Sequence, residues 1–142
     1  MKTSARNQFH GRVTDVERGV IDNVITLEIA GGQKIVAVIT CDSTERLGLR
    51  PGVEAIALIK SSSVILVTDD EGVRLSARNR LPGVVSRVQP GAVNTEVVLD
   101  LGGGGSVTAI VTNGSSVALG LKPGAPAVAI FKASSVILGV PV

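Results

Sequence analysis

The stretch Val24-Ile25-Thr26-Leu27-Glu28-Ile29-Ala30-Gly31-Gly32-Gln33-Lys34-Ile35-Val36-Ala37-Val38-Ile39-Thr40 decides the fold. Two runs rich in β-branched residues flank a reversal that contains Gly-Gly. Such residues suit a pleated, half-buried surface, and glycine accepts the backbone angles of a tight turn, so the segment reads as a β-hairpin. The hairpin recurs further along the chain as Glu96 to Leu101, Gly102 to Gly105 and Val107 to Thr112. Outward from it, a constant offset of 72 carries Ser4-Ala5-Arg6-Asn7 onto Ser76-Ala77-Arg78-Asn79 and Leu47-Gly48-Leu49 onto Leu119-Gly120-Leu121. The same offset carries Pro51-Gly52 onto Pro123-Gly124, and Ser62 to Leu66 onto Ser134 to Leu138. Between residues 4–68 and 76–140, about 27 of 65 positions are identical without a gap. The chain is a tandem duplication.

Each copy carries three more strand-like runs, in the first at Phe9 to Glu17, Val53 to Lys60 and Val64 to Thr68. Asp42-Ser43-Thr44-Glu45-Arg46-Leu47-Gly48 predicts a short helix with polar capping residues at its start and glycine near its stop, and Gly114 to Gly120 takes that place in the second copy. Five strands with a helix after the third is the order of an OB-type Greek-key barrel. The expected fold is all-β, two tandem OB-like five-stranded Greek-key barrels with one short helix each. Residues 1–70 and 76–142 are the two domains, and residues 71–75, within a charged Asp69-to-Leu75 segment, are the linker.

Composition narrows the function classes. The chain has 142 residues, of which 44% are hydrophobic and 18% charged, enough apolar content to bury a core and to exclude intrinsic disorder. The single Cys41 excludes an intramolecular disulfide framework, and no CxxC or HExxH spacing offers zinc a site. The N-terminal Met1 to Arg12 is polar and basic without an apolar h-region, and no run nears the ~18 apolar residues of a membrane span. These features lead us to expect a soluble cytoplasmic protein without a membrane partner. The 14 basic and 12 acidic residues form no basic block, so the slight positive excess is no nucleic-acid-binding tail. Small barrels with only Phe9 and Phe131 as aromatics bury little area, while Ile35 to Ile39 and Ala55 to Ile59 are apolar on both faces. Association between copies and between chains is the expected cover.

Catalysis has little to draw on. His10 aligns with Pro82, Cys41 with Asn113, Glu17 with Gln89 and Glu54 with Pro126, and Glu28 with Asp100 is the one matched acid pair. No Ser-His-Asp or Cys-His set can be assembled twice, so the reading is of a non-enzyme without a catalytic cofactor. The shared polar residues are neutral or positive: the Ser-Ala-Arg-Asn motif, Thr40 and Ser43, and Lys60 with Ser62. Hydroxyls, free backbone N–H groups near a helix start and a few cations suit a small oxyanion. Each also has a local reading. Ser43 and Ser115 serve as helix caps, Lys60 and Lys132 snorkel to solvent, Arg6 and Arg78 pair with carboxylates, and Asn7 and Asn79 make Asx turns.

The paired Ser-Ala-Arg-Asn motifs, Gly91-Ala92-Val93-Asn94 and the ending Lys132-Ala133-Ser134-Ser135-Val136-Ile137-Leu138-Gly139-Val140 resemble the molbindins, and more narrowly their two-domain (di-Mop) form. The resemblance covers nearly the whole chain. It implies two Mop domains per chain and a homotrimer, a pseudo-hexamer of Mop domains, that holds molybdate or tungstate between domains for intracellular molybdenum storage and homeostasis. Family ligands then fall on Ser4, Ala5, Arg6, Thr40, Ser43, Lys60, Ser61 and Ser62. In the second copy they fall on Ser76, Ala77, Arg78, Thr112, Ser115, Lys132, Ala133 and Ser134. The resemblance also implies an axial anion site at Gly19, Val20, Ile21 and Asp22 and at Gly91, Ala92, Val93 and Asn94. Here Asp22 stands where the second copy has Asn94, which makes an anion less welcome in the first. No bare metal cation is implied. The alternative for an OB barrel is a single-stranded nucleic-acid-binding module, which relies on aromatic stacking and a basic groove. With no Trp or Tyr and a balanced charge, no nucleic-acid partner is expected.

Overall fold

In the computed structural model, which describes residues 1–142, the Gly31-Gly32 reversal joins β2 (Asp22–Ile29) to β3 (Lys34–Thr40). The two glycines have φ of 84° and 82°, a region that favours glycine. Before the hairpin lies β1 (Asn7–Glu17), and after it α1 (Cys41–Leu47), β4 (Glu54–Ile59) and β5 (Ile65–Val67). The second repeat gives β6 (Asn79–Pro90), β7 (Asn94–Gly102), β8 (Gly105–Thr112), α2 (Asn113–Ala118), β9 (Pro126–Phe131) and β10 (Ile137–Gly139). Every expected strand and both helices are present. Alternation decides which face is inward: Ile25, Leu27, Ile35 and Ala37 are fully buried in one hairpin, and Val97, Leu99, Val107 and Ala109 in the other.

One feature of the topology was not readable from the repeats. The hydrogen-bonded strand orders are β10-β4-β1-β2-β3 and β5-β9-β6-β7-β8. The fifth strand of each barrel therefore comes from the other repeat. Leu138 lies opposite Ala57, and Leu66 opposite Ala129. β10 also lies against β3, and β5 against β8, so each sheet closes on itself in the cyclic order of an OB barrel. The exchange begins after β4 and β9, where one-turn 3-10 segments, Ser61–Ser63 and Ala133–Ser135, pack against β8 and β3 of the opposite barrel. A single hydrophobic cluster of 25 buried residues runs through both halves.

Two devices hold the barrels together. β3 and β8 end their hydrogen-bonded orders, and an unpaired edge leaves N–H and C=O groups bare. A carboxamide matches a peptide unit with one acceptor and a donor. Asn7 donates from Nδ2 to the Thr108 carbonyl at 2.9 Å and accepts from the Thr108 N–H at 2.8 Å. Asn79 does the same with Val36, both bonds 2.8 Å. Both asparagines are buried, so neither makes the Asx turn that was one local reading of its sequence. The two hairpin turns also touch: a Cβ on Gly103, whose φ is +59°, would stand 2.7 Å from the Gly31 Cα.

Both helix N-caps stand three residues earlier than the sequence reading placed them. Thr40 is the N-cap, its Oγ1 accepting from the Ser43 N–H at 3.1 Å, and Thr112 caps α2 through Ser115 N–H at 3.1 Å. Ser43 and Ser115 therefore stand three residues inside. Gly48, at φ 64°, ends α1 as expected.

Beneath α1, fully buried Asn23 donates to Thr44 Oγ1 at 2.9 Å and accepts from the Gly19 N–H at 3.1 Å and from the Cys41 thiol at 3.3 Å. In the second repeat the asparagine moves from the strand to the helix start, with Thr95 in place of Asn23 and Asn113 in place of Cys41. Thr95 donates to Asn113 Oδ1 at 2.7 Å, and Asn113 Nδ2 reaches the Gly91 carbonyl at 3.0 Å. Strand, turn and helix start are thus tied by an asparagine in both halves, from opposite sides of the pair. The linker is pinned by Arg80, whose guanidinium donates to Asp70 at 2.7 Å and holds that carboxyl below the usual carboxylate range.

Two outcomes follow from this architecture. A chain ending at Ser135 should lose amide protection in β4, in the first barrel, while β9 stays protected by β5, as read by hydrogen exchange. Asn7→Ala and Asn79→Ala should each lower stability by about 1–3 kcal/mol, the cost of leaving a buried donor and acceptor unmet. Urea unfolding of the two variants measures it.

Candidate functional site

Antiparallel pairing of β1 with β4 sets Asn7 opposite Ile59, and that of β6 with β9 sets Asn79 opposite Phe131. The residues just before each first strand therefore lie beside those just after each fourth strand. This brings Ser4, Ala5 and Arg6 to Lys60, Ser61 and Ser62, segments more than 50 residues apart in the chain. They line one hollow of about 310 Å³, joined by Thr3, Leu58, Ser135 and Ile137. Its counterpart, about 320 Å³, is lined by Ser76, Ala77, Arg78, Lys132, Ala133, Ser134 and Val38.

The chemistry of both hollows is one-sided. The first presents five hydroxyls, from Thr3, Ser4, Ser61, Ser62 and Ser135, and the cations Arg6 and Lys60. Neither lining contains a carboxylate. Lys60, Lys132 and Arg78 enter no ion pair, whereas Arg6 donates to Glu96 Oε2 at 2.6 Å. A cradle of donors and positive charge with no acidic acceptor favours a fully deprotonated tetrahedral anion over one that still carries a proton. No group of three His, Cys, Asp or Glu side chains gathers in the chain. Ala133 is buried where the first cradle has half-buried Ser61, so the second cradle lacks that hydroxyl.

Thr40 and Ser43 do not join the first cradle within one chain. They line a separate hollow of about 430 Å³ with Ile39, Arg46, Leu47, Val136, Ile137 and Leu138, and it shares only Ile137 with the cradle. Their hydroxyls are 3.0 Å apart, and Arg46 donates to Ser43 Oγ at 3.3 Å. Thr112 and Ser115 repeat the hydroxyl pair at 2.8 Å.

The turns of the suggested axial site protrude, with Val20 99%, Ile21 74% and Val93 72% exposed. Their leading glycine amides are already used. Gly19 donates to Asn23 Oδ1, and Gly91 donates to the Asn94 carbonyl at 2.8 Å. Asp22 and Asn94 are exposed. His10 is exposed on β1 and Cys41 belongs to the Asn23 network, so both residues lie outside the cradles.

Residue-by-residue reading missed the part played by five residues. Thr3 and Ser135 were not singled out, although Ser135 repeats Ser63. Asn7 and Asn79 act as clamps, which their recurrence immediately before a strand could have suggested. Glu96, the partner of Arg6, falls on Val24 under the 72-residue offset, and that mismatch was its only signal.

The TOBE domain family matches this chain twice, over residues 3–66 and 75–138. The chain is 52% identical over 140 residues to a protein of Herbaspirillum seropedicae described as the molybdenum transport protein ModE. It is 48% identical over 141 residues to the molybdenum-pterin-binding protein MopA of Rhodobacter capsulatus. Both alignments take in 99% of this chain, which spans about half the length of these curated relatives, 52% and 53%. Among solved structures it superposes, with a TM-score of 0.97 and 48% identity, on the cytoplasmic molybdate-binding protein ModG in a form with molybdate bound. That match covers 99% of this chain and 100% of the other. No helix is long and apolar enough to cross a membrane. Two family matches on two repeats, each ending in a strand lent to the other barrel, place the chain in the TOBE domain family, in the tandem form of the two-domain molbindins.

Proposed function

We propose that this protein binds molybdate, and tungstate alike, reversibly and without catalysis, as an intracellular store that keeps molybdenum at a steady level in the cytoplasm. The observation that carries the reading is the doubled cradle. Arg and Lys with clustered hydroxyls, and no carboxylate in the lining, meet the needs of a tetrahedral dianion. The superposition on a molybdate-bound protein over the whole chain supports it.

Mechanism follows from exchange of partners. The anion arrives hydrated, and hydroxyl, amide and cationic donors replace its water while its four oxygens stay in place. Sulfate has the same charge and shape, so cavity size is the remaining discriminator. Phosphate keeps a proton at neutral pH, and neither lining holds a carboxylate to accept it.

The sites are completed between domains of an oligomer. Thr40 with Ser43, and Thr112 with Ser115, stand away from the cradles of their own chain and become a neighbour's contribution in a homotrimer built as a pseudo-hexamer of domains. Exposed apolar side chains support such an assembly: Ile65 is 59%, Ile137 63% and Val117 82% exposed. Next to Ile137, Met1, Ile56, Leu58 and Val140 border an apolar hollow of about 590 Å³. Nucleic acid is not a partner in this reading, since Phe9 and Phe131, the only aromatics, are packed in the core and leave no stacking platform.

Calorimetric titration tests the proposal, with sedimentation reporting the mass. Molybdate should bind to a species of three chains and sulfate far more weakly. Lys60→Ala combined with Lys132→Ala should weaken molybdate by about 1.5–3 kcal/mol per site, the worth of a hydrogen bond to a charged group. Absence of molybdate uptake by the unaltered protein overturns the reading. Unchanged curves for the double variant remove the lysines from the site, and a monomeric mass removes the shared-site arrangement.

A further inference from the structure

We propose that Glu96 weakens anion binding in the cradle built on Arg6 by holding that arginine in reserve, a handicap that the Arg78 cradle does not share; the inference rests on the reading of both cradles as oxyanion sites. The placement is fixed by the barrels themselves. Asn7 is clamped to Thr108 on β8, two residues from Ile110, and Ile110 lies opposite Glu96 in register. Arg6, next to Asn7, thereby meets Glu96, with 2.6 Å between NH1 and Oε2.

The equivalent geometry in the other half lacks the acid. Asn79 is clamped to Val36, two residues from Val38, and Val38 lies opposite Val24, the residue that aligns with Glu96. Val38 itself lines the Arg78 cradle. Arg78 therefore meets an apolar surface and has no carboxylate partner.

An anion entering the first cradle competes with Glu96 for Arg6 and sits near that carboxylate. The pair is half exposed on the Arg6 side, 55% against 21% for Glu96, so solvent weakens it. Its release costs about a two- to fivefold loss of affinity, as exposed ion pairs do, and repulsion between carboxylate and dianion adds to that. Arg87 lowers the cost of release. Its NH1 lies 3.6 Å from Glu96 Oε1, so Glu96 keeps a cation when Arg6 leaves. The first repeat has Asp15 where the second has Arg87, so the device exists on one side only.

Equilibrium titration of the full chain with sodium molybdate tests this, comparing Glu96→Gln with Glu54→Gln. Glu54 pairs with Arg12 outside both cradles, so its variant loses the same charge without touching Arg6. The unaltered protein should show two affinity classes. Glu96→Gln should tighten one class by about three- to tenfold and leave the other in place. Arg87→Gln, which leaves Glu96 to Arg6 alone, should weaken that same class. A Glu96→Gln curve that matches Glu54→Gln overturns the inference while molybdate binding stands. If the unaltered protein takes up no molybdate, the binding reading fails, and this inference with it.

Discussion

A strand of three residues cannot hold a sheet edge on its own merits, yet each barrel here is closed by one. The closure works because β5 and β10 are exchanged: each lies between the fourth strand of the opposite barrel and that barrel's third. Its inward leucine, Leu66 or Leu138, then enters a core it could not form alone. Neither barrel has a complete wall until both are folded. This couples the two halves more firmly than a covalent linker does, and it explains why one hydrophobic cluster spans them.

The candidate site inherits its shape from the same closure. Lys60 and Lys132 stand where the chain leaves one barrel for the other, and the one-turn segments that follow are pressed against the far barrel. Ser135, from the second repeat, lines the cradle of the first for this reason. The asparagine clamps set the lead-in residues against this crossing. The lead-in residues and the crossing residues are therefore brought together by backbone pairing on two barrels.

The repeat, the hairpins and the helix were legible because each rests on local chemistry. Gly31-Gly32 has the backbone freedom its turn needs, and the alternation of Ile25, Leu27, Ile35 and Ala37 needs no distant partner to be read. That Ser4, Arg6, Lys60 and Ser62 recur was legible, but recurrence showed only that the copies are homologous; their joining was implied by the family resemblance, and the register of β1 on β4 supplies its physical cause. The strand exchange was hidden. Val64 to Leu66 satisfies the pattern of a fifth strand equally well in either barrel, since the two barrels offer near-identical edges at β4 and β9. The N-cap was misplaced by three residues because Thr40 looked like the end of a strand, and it is that as well. Glu96 was passed over because attention to what the copies share hides what one copy has alone.

The asparagine-centred junction at the start of each helix bears on how the halves can change over time. Asn23 faces Cys41 and Thr44, while Thr95 faces Asn113, so each half has settled its own complementary pair. Exchange of a short DNA tract between the halves, a common fate of tandem copies, would bring Asn23 against an asparagine at position 41 or Thr95 against a cysteine at position 113. Either hybrid disturbs a matched polar junction. The two copies are thereby insulated from being homogenised piecemeal and remain free to diverge.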